Sequence, residues 1–253
     1  RIHHGHSFGL SYHTDRLYRS MRLLGIRPVT APDEFTEIVE VVVEESEIEE
    51  GYVKIIVTRG SDDHNFTIPA RSALQPNVLV YGKPIDLNAI EKVQSGVNCI
   101  TLDDDRGHHC DILSLNQLNN MMARAEAQKK NCYDAVFIKD GLLTEASHSN
   151  VCIVKAGVIW TPATNEHMIR GVTRSLVLTR AAPSAGVTSI DEASEPVRFE
   201  DMMTAEEVFL TNSQDGIIPV LSIDGNPIGG GKVGDVTKKI QEHYAHLMED
   251  GLP

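Results

Sequence analysis

Hydrophobic and polar positions along this 253-residue chain alternate in stretches of clear period. Over 32–48, Phe35, Ile38, Val39, Val42 and Val43 recur at helical spacing with carboxylates between them, and Asp33 falls in the first turn. This predicts an amphipathic helix stopped by Gly51. A β-branched run at 52–58 predicts a strand, and a second strand at 77–81 stops at Gly82-Lys83-Pro84. Further on, the pattern predicts a strand at 97–102, a polar loop at 103–109 and a helix at 116–130. Strands are expected at 133–138, 150–154 and 158–160, with turns at Lys139-Asp140-Gly141 and Lys155-Ala156-Gly157. A helix at 171–182, a strand at 207–211, a hairpin over Asp224-Gly225 and a last helix at 233–248 complete the order. No internal repeat is visible. The order fits an α+β protein with a smaller N-terminal part and a larger C-terminal one.

Composition narrows the function classes. The formal net charge is -13 and no stretch concentrates Lys and Arg, so nucleic acid and anionic membrane are not expected partners. Four cysteines (Cys99, Cys110, Cys132, Cys152) are too scattered for a disulfide framework and form no C-x-x-C pair. With no signal peptide and no long apolar run, a reduced, cytoplasmic setting is expected. Arg1 is not an initiator residue, which points to sequence upstream.

Several clusters offer chemistry. His3-His4-Gly5-His6 and His108-His109-Cys110 carry nitrogen and sulfur donors, but neither has a second ligand pair at zinc-like spacing, so no metal is expected. Gly229-Gly230-Gly231-Lys232 lacks the earlier glycine and the following hydroxyl of a phosphate loop, where Asn226 and Val233 stand instead. More informative is Leu143-Thr144-Glu145-Ala146-Ser147-His148-Ser149-Asn150-Val151, read as a polar turn between strands with a carboxylate followed by hydroxyls and an amide. In Met168-Ile169-Arg170-Gly171-Val172-Thr173-Arg174, a glycine opens a helix with a hydroxyl in its first turn, an arrangement suited to phosphate. Phe209-Leu210-Thr211-Asn212-Ser213 then runs from a strand into a loop with another hydroxyl. In this order the three suggest a phosphorylated cofactor with a buried polar ring.

The order of motifs resembles the fold-type IV pyridoxal-phosphate enzymes, which include branched-chain and D-amino-acid aminotransferases, (R)-selective amine transaminases and aminodeoxychorismate lyase. The similarity spans nearly the whole chain. It covers Asp15-Arg16-Leu17-Tyr18, Val57-Thr58-Arg59-Gly60, Cys110-Asp111-Ile112 with Ser114-Leu115-Asn116, and 143–151. It continues through 169–174, Ile218-Pro219-Val220 and Gly231-Lys232-Val233-Gly234. The resemblance implies a two-domain α+β homodimer with its active site between the domains. A smaller N-terminal domain (1–83) lacking its first strands, a linker (84–88) and a larger β-rich domain (89–253) are expected. It also implies pyridoxal 5'-phosphate as cofactor. Arg16 would bind the phosphate, with the Val172 and Thr173 amides, the Thr173 hydroxyl and Ser213. Ile169 would pack on the pyridine ring. Glu145 would keep the ring nitrogen protonated, since a carboxylate in hydrogen-bond reach raises its proton affinity and a pyridinium is the better electron sink.

Two departures from the family pattern stand out. Where relatives carry the Schiff-base lysine, between Ile112 and Ser114, this chain has Leu113. Leucine can neither form that bond nor shuttle a proton. A natural pseudoenzyme, a deliberate inactivating change and a letter standing for a cofactor-modified lysine all account for it. The intact surrounding motif favours the latter two, and a core leucine in a repurposed fold is the plainer account. The second departure follows Val-Thr-Arg-Gly, where D-amino-acid aminotransferases place an Arg and a His for the substrate carboxylate. Here His64 and Phe66 stand there, beside the acidic pair Asp62-Asp63. The expected reaction is amino transfer from an amino acid or primary amine to a 2-oxo acid. A lyase of the aminodeoxychorismate type, or a non-catalytic protein of the same fold, are the alternatives.

Overall fold

The computed structural model describes residues 1–61, 74–190 and 196–252. The chain forms two compact units, Arg1–Asp86 with Met248–Pro253, and Leu87–Leu247. In the first unit a short hairpin of β1 (Ile2–His3) and β2 (His6–Ser7) precedes α1 (Leu10–Leu23) and α2 (Pro32–Glu45), then β3 (Gly51–Thr58) and β4 (Asn77–Pro84). Its sheet runs β2-β1-β3-β4 and is antiparallel throughout. Ile2, Leu10, Phe35, Val39 and Val43 form the core beneath the two helices.

The second unit begins with α3 (Leu87–Gln94), β5 (Val97–Asp103), α4 (Leu118–Lys129), β6 (Asp134–Lys139), β7 (Leu142–Ala146), β8 (Asn150–Lys155) and β9 (Val158–Trp160). There follow α5 (Val172–Leu176), a π-helical turn (Val177–Ala181), α6 (Ala182–Ser184), β10 (Ser189–Ile190), α7 (Phe199–Met203), β11 (Glu207–Asn212), β12 (Gly216–Ile223), β13 (Asn226–Pro227) and α8 (Asp235–Glu249). One large sheet orders these strands β10-β9-β8-β11-β12-β5-β6-β7, with β13 beside β12. β5 and β6 are parallel, as a strand pair joined by the α4 crossover must be. Val136, Leu143, Val151, Ile153, Val208, Leu210 and Ile218 fill the core on one face, and Ile100, Ala123, Ala127 and Phe137 pack under α4 on the other.

Most expected elements are present, and the departures have physical reasons. The expected hairpin turns hold because Asp140-Gly141, Ala156-Gly157 and Asp224-Gly225 each take positive φ at both positions. The helix expected to reach 48 stops at Glu45, where the Ser46 hydroxyl turns back onto the Val43 carbonyl and Glu47 enters the left-handed region. The helix expected at 171–182 is interrupted by the π turn and runs on to Ser184. Pro183, with no N–H to give, breaks its hydrogen-bond ladder. The 143–151 stretch is not one polar turn: Glu145 lies on strand β7, itself unforeseen. Helix α1 was also unforeseen, because its buried face carries Thr14 and Ser20 beside Leu10 and Met21, which blurs the apolar period.

The last helix begins at Asp235 rather than 233, and Glu207 explains where. From β11 its carboxylate accepts the Val236 and Thr237 amides at 3.0 and 2.8 Å and the Thr237 hydroxyl at 2.6 Å. A strand carboxylate thus serves the amides a helix start leaves unpaired. The Glu207→Ala variant should lose roughly 1–2 kcal/mol of stability, as lost helix caps do, read as a lower urea midpoint with an unchanged m-value.

Candidate active site

Where β5 ends, the chain turns at Asp104, whose Oδ1 accepts the Arg106 backbone amide at 3.1 Å. This local turn aims the Arg106 side chain inward. Its Nε and Nη2 grip both Asp104 oxygens at 2.9 and 2.8 Å, Nη1 donates to Glu145 Oε1 at 2.5 Å, and Nη2 also reaches the His167 carbonyl at 3.0 Å. The guanidinium lies 4.2 Å from the centre of the Phe137 ring. Glu145 Oε2 accepts the Ile169 amide at 2.9 Å and Asn150 Nδ2 at 3.4 Å, and Asn150 also donates to the Ile169 carbonyl at 2.8 Å. Asp104, Arg106 and Glu145 are all buried. The stretch 103–109, expected as a polar loop, thus carries two buried charges. An Asp two residues before an inward Arg was the available signal, hidden among the neighbouring aspartates.

Three charges in one buried cluster do not cancel. Two carboxylates share one guanidinium, which leaves one excess negative charge. Burial pushes the Glu145 carboxyl up to about 7, against the Arg106 guanidinium and the Ile169 amide, with Asp104 adding to the rise. At Asp104 burial also pushes upward, but the hydrogen bonds from Arg106 and Thr144 outweigh it and hold the group below its ordinary value. Among the described residues Glu145 Oε1 takes a single donor, which leaves a lone pair for another N–H.

Beside the cluster, Gly171 opens α5 so close to Asn150 that a Cβ would stand 2.0 Å from Asn150 Oδ1. Val172 and Thr173 form the first turn, both buried, and the Tyr244 hydroxyl donates to Thr173 Oγ1 at 3.4 Å. α5 packs against β11, whose Thr211 pairs across the sheet with Asn150 and so shares its face. The Thr211 hydroxyl is buried without a hydrogen-bond partner among the described residues. Past it, Ser213 lies partly exposed in a turn where Asn212 Oδ1 accepts the Gln214 and Asp215 amides.

Of the expected site residues, Glu145 and Ile169 meet directly, and Val172 and Thr173 follow in the same short stretch of chain. Arg16 lies on α1 of the first unit, with Nη2 3.3 Å from His13 Nδ1. Leu113 sits in the loop before α4 and is 46% exposed, so core packing does not account for the leucine. His64 and Phe66 lie outside the described residues.

Because the folded value of Glu145 is raised, its contribution to stability is full below about pH 4.5 and lost as the pH rises through about 7. Asp104 works in the opposite sense, losing its contribution as the pH falls below the ordinary value of 3.8. Unfolding free energies from urea titrations across the upper window should fall in the native protein by no more than about 1.4 kcal/mol per pH unit. The Glu145→Gln variant should flatten that fall. Arg106→Met should cost about 3–5 kcal/mol by leaving carboxylates buried without their partner, seen in the same unfolding curves.

Comparison with known proteins places this geometry. The pattern of the amino-transferase class IV family matches residues 1–223. The chain is 31% identical to the D-alanine aminotransferase of Staphylococcus aureus (strain N315), over 98% of this chain and 86% of that protein. It is 36% identical to that of Bacillus licheniformis, over 95% and 83%. Among solved structures, the branched-chain aminotransferase of Thermoproteus uzoniensis with norvaline is similar with a TM-score of 0.84 at 25% identity, covering 96% of this chain and 80% of that one. A putative 4-amino-4-deoxychorismate lyase from Legionella pneumophila shares the fold, with a TM-score of 0.84 at 19% identity over 98% and 88%. The residues present fit the family's cofactor: with Glu145 ionised the cluster carries one uncompensated negative charge for a ring N–H, and the Thr211 hydroxyl lacks a partner among the described residues. The chain belongs to the class IV aminotransferases, the pyridoxal-phosphate-dependent enzymes of fold type IV.

Proposed function

We propose that this chain moves an amino group from an amino acid or primary amine to a 2-oxo acid, and that position 113 limits how fast it does so. The observation that carries this reading is the buried Asp104–Arg106–Glu145 cluster, whose excess negative charge is complementary to a protonated ring nitrogen. When bound, pyridoxal phosphate supplies the electron sink for the carbanion at the donor carbon. Glu145 holds a proton at the ring nitrogen, and Arg106 fixes the carboxylate so that it cannot swing away. Ile169 would lie against the ring. The Val172 and Thr173 amides, the Thr173 hydroxyl and Ser213 would bind the phosphate, which needs several charge-assisted donors, and the family resemblance gives Arg16 the same role. His64 and Phe66, where a carboxylate-trapping Arg and His would stand, favour an amine or an amino acid held in another way.

Leu113 offers neither a bond to the cofactor nor a base for the substrate proton, so the chain binds the cofactor reversibly. Its four free thiols support a reducing, cytoplasmic setting. The exposed Leu115, Leu118, Met121 and Met122, clustered on one loop and the start of α4, support a homodimer in which a second copy covers them.

Intact mass should first confirm an unmodified leucine at 113. Gel filtration after adding pyridoxal phosphate should strip the cofactor from the native protein, while the Leu113→Lys variant should stay yellow. That variant should also exceed the native turnover by at least the roughly 10²–10⁴ that a positioned proton shuttle contributes. Equal turnover in the two would sink the role given to position 113, and a Leu113→Lys variant that binds no cofactor would favour the non-catalytic reading. Adding Glu145→Gln to Leu113→Lys should keep the cofactor bound and slow amino transfer by at least about tenfold, or 1.4 kcal/mol of barrier.

A further inference from the structure

The first hairpin brings two successive histidines to one side. In a continuous strand His3 and His4 would point to opposite faces. Here His4 takes the left-handed conformation (φ 49°) at the hairpin turn, and the two imidazole rings lie 4.1 Å apart and 35° from parallel. Glu50 Oε1 lies 2.8 Å from His3 Nδ1 and 3.8 Å from His4 Nδ1. That carboxylate is itself fixed, by Arg1 Nη2 at 2.7 Å and by the His4 amide at 3.2 Å. With both Nδ1 atoms turned to Glu50, both Nε2 atoms face Glu249 at the end of α8: His3 Nε2 lies 3.2 Å from Oε1 and His4 Nε2 3.5 Å from Oε2.

His3, His4 and Glu249 thus offer one ligand atom each within 4.8 Å of one another, and Glu50 is hydrogen-bonded to the far nitrogen of the His3 ring. A metal-bound imidazole commonly gives its other ring N–H to a carboxylate, which fixes its tautomer and aim. Ligands about 2.0–2.1 Å from a tetrahedral ion stand roughly 3.3 Å from one another, and each Nε2 lies at about that distance from one of the two Glu249 oxygens, 3.2 Å for His3 and 3.5 Å for His4. We propose that His3, His4 and Glu249 bind a divalent transition metal of the zinc class, with Glu50 as the positioning residue and water in the open position. The ion ties the first hairpin to the last turn of α8, within the first unit. Sequence spacing alone hid the site, because its carboxylate ligand comes from the far end of the chain.

A second His–carboxylate group, His108, Glu166 and His167, makes the natural control. There one oxygen, Glu166 Oε1, lies against both His108 Nδ1 (3.2 Å) and His167 Nε2 (3.7 Å). His167 Nδ1 is buried with no partner among the described residues, so no carboxylate aims that ring.

The test is calorimetric titration of zinc chloride into the metal-free full chain, with cobalt(II) absorbance as a second reading. One zinc per chain is expected, with micromolar or tighter affinity and tetrahedral cobalt bands. Glu249→Gln should abolish binding, Glu50→Gln should weaken it about 10–100-fold at unchanged stoichiometry, and His108→Ala should leave it as it was. Zinc should raise the melting temperature of the native chain and not that of Glu249→Gln. Melting of each metal-free variant confirms its fold. An ordinary hydrogen-bonded ion cluster is the answer if zinc fails to bind. Binding that survives Glu249→Gln but is lost in His108→Ala would likewise overturn the proposal.

Discussion

One guanidinium holds the site's parts in register. Arg106 comes from the chain leaving β5, Glu145 from β7 and the His167 carbonyl from the segment before α5, and all meet its five N–H donors. Since Glu145 in turn holds the Ile169 amide, the approach to α5 is fixed from two sides. The position of Val172 and Thr173 therefore depends on this ion pair. Its cost is an imbalance: two buried carboxylates on one cation leave a charge that a positive ligand would relieve.

The polar surroundings of this cluster are satisfied outward in layers. Asn150 joins Glu145 to Ile169, while Asn212 links Ser149, Tyr133 and Asp215. Buried Asp134 takes the Ser147 hydroxyl and the Ala135 amide. Such networks are stable only when nearly every member has a partner. The unpartnered Thr211 hydroxyl on the same sheet face as Asn150 is thus informative about where a ligand group would dock.

Much of the fold was legible because strand and helix periods in the second unit are clean, and turn pairs such as Asp140-Gly141 state their conformation openly. Glu145 was legible as a site residue but not as a strand residue. Its neighbours Thr144, Ser147 and Ser149 are polar because they bond Asp104 and Asp134 inside the protein, not because they face water. Arg106 was illegible for the same reason: among Asp103, Asp104 and Asp105 it reads as surface, and only the third dimension shows which aspartate it pairs with. Helix α1 was missed where buried Thr14 and Ser20 replaced apolar residues on its inner face.

The same cluster changes what an intact motif says about Leu113. An unused site would be expected to lose its functional residues, and Glu145 is still here. Yet Glu145 and Arg106 are also structural: losing Arg106 leaves two carboxylates buried without their partner, a cost of about 3–5 kcal/mol against a total stability of roughly 5–15 kcal/mol, and Glu145 holds the Ile169 amide. Folding alone would therefore retain them long after chemistry ceased. Leu113, half exposed in a loop, carries no comparable structural duty and is free to change. Only position 113, where stability places little demand on the side chain, reports directly on whether the chain still performs the chemistry.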